Sequence, residues 1–315
     1  MKLEKKNLTI LLASPRGFCA GVDRAIKTVE LALQKFQSPI YVRHEIVHNK
    51  EVVNKLKTKG AIFVDELSEV PEKGIVILSA HGVPKLVIDD ARRKNLIHID
   101  ATCPLVTKVH VESQKYHKMG LEILLIGHAN HPEVIGTMGQ IPKKSITLIE
   151  DEIDAKKFTP IDKNKLALIT QTTLSVDDTS KIMTILKARF PKITLPHKED
   201  ICYATTNRQK VVKNIAPNCD TLIVIGSTNS SNSKRLVEVA IQSGCKNSFL
   251  LDNTKEVPWK RFKGTRIMGL TAGASAPEYL ISNLIQDFKK KYNVKVKNIN
   301  IIKEEIEFKL PEKVL

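Results

Sequence analysis

The stretch Leu8-Thr9-Ile10-Leu11-Leu12-Ala13-Ser14-Pro15-Arg16-Gly17-Phe18-Cys19-Ala20-Gly21-Val22-Asp23-Arg24-Ala25 reads as a strand, a turn and the start of a helix. The short apolar run through Leu12 is too brief for a helix and long enough for a buried strand. Pro15 and Gly17 punctuate it. Beyond Cys19, Val22, Ile26, Val29, Leu33 and Phe36 recur at three- and four-residue spacing, the pattern of one helical face. The same succession occurs twice more: Leu96-Ile97-His98-Ile99 leads to Cys103, and Ile193-Thr194-Leu195 leads to Cys202.

Each helix is followed by a second buried-looking strand, Ile40-Tyr41-Val42, Ile123-Leu124-Leu125-Ile126 and Leu222-Ile223-Val224-Ile225. These end in polar clusters: His48-Asn49, then His128 through Glu133, then Ser227 through Ser233. The clusters begin about thirty residues after each cysteine, the signature of an internal repeat. Ile62-Phe63-Val64-Asp65, Thr147-Leu148-Ile149-Glu150 and Phe249-Leu250-Leu251-Asp252 follow. A last strand then reaches a small-residue turn at Ser79 to Pro84, Thr170 to Thr173 or Thr271 to Ser275. Strands alternating with helices predict parallel α/β units. The expected organisation is three similar α/β domains, residues 1–102, 103–197 and 198–285, with a Lys-rich tail at 286–315. Ligands of open α/β sheets bind beyond the carboxyl ends of strands, where every informative residue of this chain is expected. Domains facing one axis would bring these loops to a central cavity.

Composition agrees with a globular protein: of 315 residues, 42% are apolar and 27% charged, with only 14 Gly and 14 Pro, which excludes collagen, coiled coil and disorder. No apolar run is long enough for a transmembrane helix. The apolar stretch after the basic start Met1 to Lys6 is too short for a signal peptide, so a cytoplasmic location is expected. The 50 Lys and Arg against 34 Asp and Glu give a net charge of +16, a field that attracts anionic partners. The cations are scattered without the interleaved aromatics of a nucleic-acid platform, so neither nucleic acid nor membrane is expected as a partner. Five cysteines without a Cys-x-x-Cys argue against a disulfide framework.

A helix N-terminus favours thiolate over thiol, and three thiolates in equivalent repeat positions would form one metal site. Zinc is one candidate. A cubane iron–sulfur cluster is the other, since three thiolates on one axis would leave one iron open to substrate; spacing favours neither. Cys219 and Cys245 lack repeat counterparts and read as packing residues. His48, His81 and His131 stand at strand ends beside helix starts. Ser230, Ser231 and Asn232 do so in the third repeat, and such helix N-termini suit phosphate. Glu133, in a first helical turn, is the one carboxylate of these clusters and a natural proton donor, with Thr172 and Thr173 able to relay. His98, His110, His117 and His197 lack this context, and Asp177 and Asp178 read as first-turn helix acids.

Pro15 to Ala25, Val47-His48-Asn49, Ser79 to Val83, Asp100 to Pro104, His131-Pro132-Glu133, Thr170 to Ser175, Asp200-Ile201-Cys202, Asn229 to Ser233 and Thr271 to Pro277 resemble, in order, the 4-hydroxy-3-methylbut-2-enyl diphosphate reductase family. One departure is Asn130, where a glycine is usual before the second histidine; Asn tolerates the left-handed region, so the loop is expected to survive. The resemblance implies a pseudo-threefold trefoil around a central cavity that holds one [4Fe–4S] cluster per chain, with Cys19, Cys103 and Cys202 as ligands. It implies reductive loss of the allylic hydroxyl of a diphosphate substrate, giving isopentenyl and dimethylallyl diphosphate in the last step of the non-mevalonate pathway. Glu133 would supply protons, with Thr172 and His131 in its hydrogen-bond network. His48, His81, His131, Ser230, Ser231, Asn232 and Ser275 would hold the diphosphate. The family's donors, ferredoxin or flavodoxin, are acidic and would dock on a basic face. The rival readings are a zinc-dependent phosphate-ester hydrolase and a basic nucleic-acid-binding protein.

Overall fold

The structure, a computed structural model, describes residues 5–37, 39–252 and 254–315. Most of the basic start, residues 1–4, lies outside the described residues. The strands in chain order are β1 (Asn7–Ser14), β2 (Ile40–Arg43), β3 (Ala61–Val64), β4 (Ile75–Leu78), β5 (Ile97–Asp100), β6 (Glu122–Ile126), β7 (Ile146–Ile149), β8 (Leu166–Thr170), β9 (Thr221–Ile225), β10 (Ser248–Leu251), β11 (Ile267–Ala272) and β12 (Asn293–Asn300). They form three sheets of five, four and three strands, ordered β10-β9-β11-β1-β12, β3-β2-β4-β5 and β7-β6-β8. Every pairing is parallel, as the strand–helix alternation predicts. The strands β4, β8 and β9 are buried at every position; covered on both faces, a parallel strand has no wet face to fill with polar residues.

The chain divides into two compact units. One comprises Met1–Cys19, His48–Lys50 and Tyr203–Glu307, the other Ala20–Val47, Glu51–Cys202 and Phe308–Leu315. In the first, Leu8, Ile10 and Leu12 of β1 pack with Ile223, Leu270 and Leu284, while Ala13 joins Val211, Leu222 and Leu236 in a second cluster. In the second, β6 splits by parity: Leu124 and Ile126 pack with Leu168 and Leu186, and Ile123 and Leu125 with Val109 and Val134. Among the described residues no helix is long and apolar enough to cross a membrane.

Sheet membership follows a different frame from the division at 102, 197 and 285. In each sheet the strand that leads to a cysteine pairs with the last strand of the preceding repeat. β5, before Cys103, lies beside β4. Thr194, before Cys202, bridges Ala167 at the open edge of β8 in parallel, as an isolated bridge and not the full strand expected there. β1, before Cys19, lies beside β11. Each cysteine therefore closes a repeat of strands instead of opening one, and the repeat that Cys19 closes begins at β9. The segment read as a tail carries β12, which runs beside β1 from Asn7↔Asn293 to Ser14↔Asn300.

The core of β1 belongs with the C-terminal sheet, so Ile10→Ala should destabilise that sheet by about 2–5 kcal/mol. Hydrogen exchange would read this as lost protection in Thr221–Ile225 and Ile267–Ala272. Equal loss in Ile40–Arg43 would contradict the pairing.

Candidate active site

Each predicted cysteine stands directly before a helix: Cys19 before Ala20–Lys35, Cys103 as N-cap of Pro104–Lys118, and Cys202 before Tyr203–Ile215. None of the three is in a disulfide, and all are partly exposed. Their amides share one arrangement. Cys19 N–H donates to Ala274 O at 3.1 Å, Cys103 N–H to Ala80 O at 3.0 Å, and Cys202 N–H to Thr172 O at 3.0 Å. Each acceptor lies in the turn that follows β11, β4 or β8, so one backbone hydrogen bond beyond the strand ends fixes each cysteine backbone.

In the second unit, β8 delivers Thr172 to Glu133, which lies in the first turn of the helix Pro132–Met138. Glu133 is 3% exposed. Thr172 N–H donates to Glu133 Oε1 at 2.6 Å and the Thr172 hydroxyl to Oε2 at 3.0 Å. Burial pushes the carboxyl up to about 7 and the charge of Asp200 adds to this, against the two bonds from Thr172. His131 caps this helix, its Nδ1 accepting Glu133 N–H at 3.2 Å, which leaves Nε2 to carry the proton of the neutral ring. The His81 ring stands edge-on to it, centroids 6.1 Å apart. Asn130 adopts φ +62°, the left-handed conformation expected where glycine is usual. Glu133, Thr172, His131 and His81 are thus neighbours beyond the ends of three strands, β4, β6 and β8.

In the first unit, Ser230 caps the helix Ser231–Gln242 by accepting Ser233 N–H. A Cβ on Gly226 or Gly273, which follow β9 and β11, would lie 2.2 or 2.0 Å from Ser233 Oγ. Glycine there lets both strand ends approach the helix start. Asn232 is 4% exposed, and among the described residues neither its amide oxygen nor its nitrogen has a hydrogen-bond partner. Such buried orphaned groups await a polar ligand. Ser275 donates to His48 O at 2.8 Å, tying that histidine's loop to the same unit.

Cys219 and Cys245 pack in the core of the first unit, and burial pushes the Cys219 thiol up to about 12. Ser175 caps the helix that carries Asp177 and Asp178 in its first turn. His110, which the sequence sets apart from the site histidines, has a structural role. It is buried under the His81–Gly82 turn, where Gly82 has φ +76° and a Cβ would meet the His110 ring at 2.6 Å. Desolvation lowers its pKa to about 4, so the ring that supports the turn is neutral. Arg24, Lys108 and Arg208, each five or six residues after a cysteine, form a further regularity visible in the sequence itself. Among the described residues, no three His, Cys, Asp or Glu side chains gather as one mononuclear metal ion requires.

Fold and strand-end residues together define an α/β enzyme of repeated parallel sheets, with thiols, buried acids and hydroxyl-rich helix starts at the carboxyl ends. The chain belongs to the LytB protein family, whose model matches residues 10–289. It is 56% identical over 308 residues to 4-hydroxy-3-methylbut-2-enyl diphosphate reductase of Paracoccus denitrificans, covering 98% of each chain. It is also 56% identical to reductase 1 of Bradyrhizobium diazoefficiens, over 98% of this chain and 97% of that one. Among solved structures, the E-1-hydroxy-2-methyl-but-2-enyl-4-diphosphate reductase of Plasmodium falciparum superposes with a TM-score of 0.94 at 41% identity, covering 98% of this chain and 97% of that one. A second, described as the terminal enzyme of the non-mevalonate pathway, superposes with a TM-score of 0.64 at 32% identity, over 90% of this chain and 99% of that one.

The Glu133 carboxyl should titrate with a midpoint near 7. The pH-dependent infrared band of a protonated carboxyl, lost in Glu133→Gln, would report it, and a midpoint in the ordinary carboxylate range would contradict the desolvated site.

Proposed function

We propose that the chain reduces (E)-4-hydroxy-3-methylbut-2-enyl diphosphate to isopentenyl and dimethylallyl diphosphate, the terminal step of the non-mevalonate isoprenoid pathway. The observation that carries this reading is the buried Glu133 held by both the amide and the hydroxyl of Thr172. Removing an allylic hydroxyl as water needs a proton at neutral pH, and a carboxyl raised to about 7 is still half protonated there. Reductases of this family use an iron–sulfur cluster. We assign it as one [4Fe–4S] cluster per chain, held by Cys19, Cys103 and Cys202. The donor set fits, since all three are partly exposed cysteines outside any disulfide, on pinned backbones, and in a cubane each thiolate binds a different iron. When bound, the cluster supplies electrons singly and one iron without a protein ligand as Lewis acid.

The chain's own residues do the rest. The start of the helix Ser231–Gln242, with the hydroxyls of Ser230, Ser231 and Ser275 and the orphaned amide of Asn232, binds the diphosphate through N–H and O–H donors. His48, His81 and His131 complete the set. Protonated Glu133 carries its proton on Oε2, because Oε1 accepts the Thr172 amide. The Thr172 hydroxyl then turns to accept from Oε2 and donates onward, which makes it the relay. Two electrons and two protons enter: one proton leaves with the hydroxyl as water, and the other forms the new C–H bond at either end of the allyl system. The location is the cytoplasm, where thiols stay reduced. The net charge of +16 favours an acidic donor such as ferredoxin or flavodoxin.

Anaerobically purified protein with assayed iron and sulfide should oxidise a reduced viologen when the diphosphate is added. A cluster-loaded sample without turnover would refute the reading. Glu133→Gln should keep its iron and lose turnover by about 10²–10⁴-fold, and Cys103→Ser should lose iron. Turnover driven by the protein donor should fall steeply with salt while viologen turnover does not; equal salt dependence would remove the charged docking face.

A further inference from the structure

The structure assigns Arg24, Lys108 and Arg208 as positioning residues for the three cysteine loops: each sits on the helix led by one cysteine and fastens the backbone just ahead of the next. The proposal rests on the reading that the three cysteines hold the cluster.

The contacts form a closed cycle. Arg24, on the helix that follows Cys19, donates from NH1 to Thr102 O at 3.0 Å, the carbonyl directly before Cys103. That peptide's own N–H, from Cys103, donates to Ala80 O, so its plane is held at both ends. Lys108, on the helix that follows Cys103, donates to Lys198 O at 2.6 Å, Glu199 O at 3.2 Å and Asp200 Oδ1 at 2.9 Å, the residues that lead to Cys202. Asp200 in turn accepts Thr170 N–H through Oδ2 at 2.9 Å. Arg208, on the helix that follows Cys202, donates from NH2 to Gly17 O at 2.8 Å, two residues before Cys19. Gly17 has φ +67°, and a Cβ there would lie 3.2 Å from Ala276 O.

Two of the three cations have a further acceptor that fixes their direction. Arg208 is 0% exposed and pairs with Glu304 at 3.1 Å; a buried guanidinium without such a partner is strongly destabilising. Arg24 Nε donates to Lys309 O at 2.7 Å. The C-terminal segment thus supplies the second acceptor for two of the three cations. Groups that orient metal ligands from outside the ligand set act through geometry, and losing one characteristically weakens metal retention more than it weakens the fold.

The test uses reconstituted holoprotein and follows the rate of iron release to a ferrous chelator, beside thermal unfolding of each variant. Arg24→Gln is the decisive variant, because its half-buried guanidinium bonds backbone carbonyls. It and Lys108→Gln should release iron about 10–100-fold faster than wild type, with a changed electron paramagnetic resonance spectrum of the reduced cluster, and Arg24→Lys should recover part of the difference. Arg189→Gln is the control: Arg189 also donates to two carbonyls, Ala155 O and Phe158 O, remote in sequence from any cysteine, and should lower stability without speeding iron loss. For the buried Arg208, Glu304→Gln removes the charge partner and keeps the guanidinium, with faster release expected. Release from Arg24→Gln no faster than from Arg189→Gln overturns the proposal. Full iron retention in Cys103→Ser would instead overturn the ligand assignment beneath it.

Discussion

The amide of each cysteine hydrogen-bonded to the turn of the adjacent strand is the constraint on which the chemistry of this chain depends. A parallel sheet delivers successive strands to the same edge, but a loop leaving that edge is ordinarily free to wander. Here one backbone hydrogen bond beyond the strand ends ties Cys19 to Ala274, Cys103 to Ala80 and Cys202 to Thr172. The thiol is therefore carried by sheet geometry and not by a flexible loop. The same turns carry the other reactive groups: Thr172 bonds Glu133, Ala80 sits between Ser79 and His81, and Ser275 next to Ala274 bonds the His48 loop. One backbone hydrogen bond per repeat places both a thiol and its polar neighbours.

Glu133 shows how the frame becomes chemistry. A carboxyl this buried without partners would be a defect; one with two strong donors in a wet site would be fully ionised at neutral pH. Burial outweighs the two Thr172 bonds, so the group keeps its proton near neutrality while remaining oriented. The orientation comes from the helix start, where His131 accepts the Glu133 amide, and from Thr172 just beyond β8, which bonds both carboxyl oxygens.

Most of this was legible in the sequence, for reasons tied to particular residues. Parallel sheets followed from apolar runs such as Leu222–Ile225 that lack polar alternation, and the strand-end clusters stood out because Gly, Ser, His and Asn break those runs. The frame of the repeat was not legible. A run of apolar residues shows that a strand exists but not which neighbour it pairs with, and Leu8–Leu12 reads the same beside β2 or beside β11. β12 escaped because its lysines, Lys295 and Lys297, dominate an edge strand that is largely exposed, Val296 included, so no buried face marks it. Arg24, Lys108 and Arg208 were hidden by the charge excess itself: among 50 basic residues, three with buried acceptors look like the rest until their partners are seen.

The placement of β1 has a consequence for how the site is assembled. β1 lies between β11 and β12, so its register, Leu8 opposite Val294, joins residues at nearly the two ends of the chain. Contacts of such separation are costly to close and form late. The acceptors and donors of the Cys19 loop, Ala272, Ala274 and the Arg208–Glu304 pair, all lie beyond residue 200. Cys103 and Cys202, by contrast, bond to Ala80 and Thr172, segments that precede them by about thirty residues or fewer, so their local pairing demands far less loop closure. The first cysteine of the sequence is in this sense the last to be fixed, and the C-terminal segment that completes its sheet and neutralises Arg208 is as much a part of the Cys19 loop as the residues beside it.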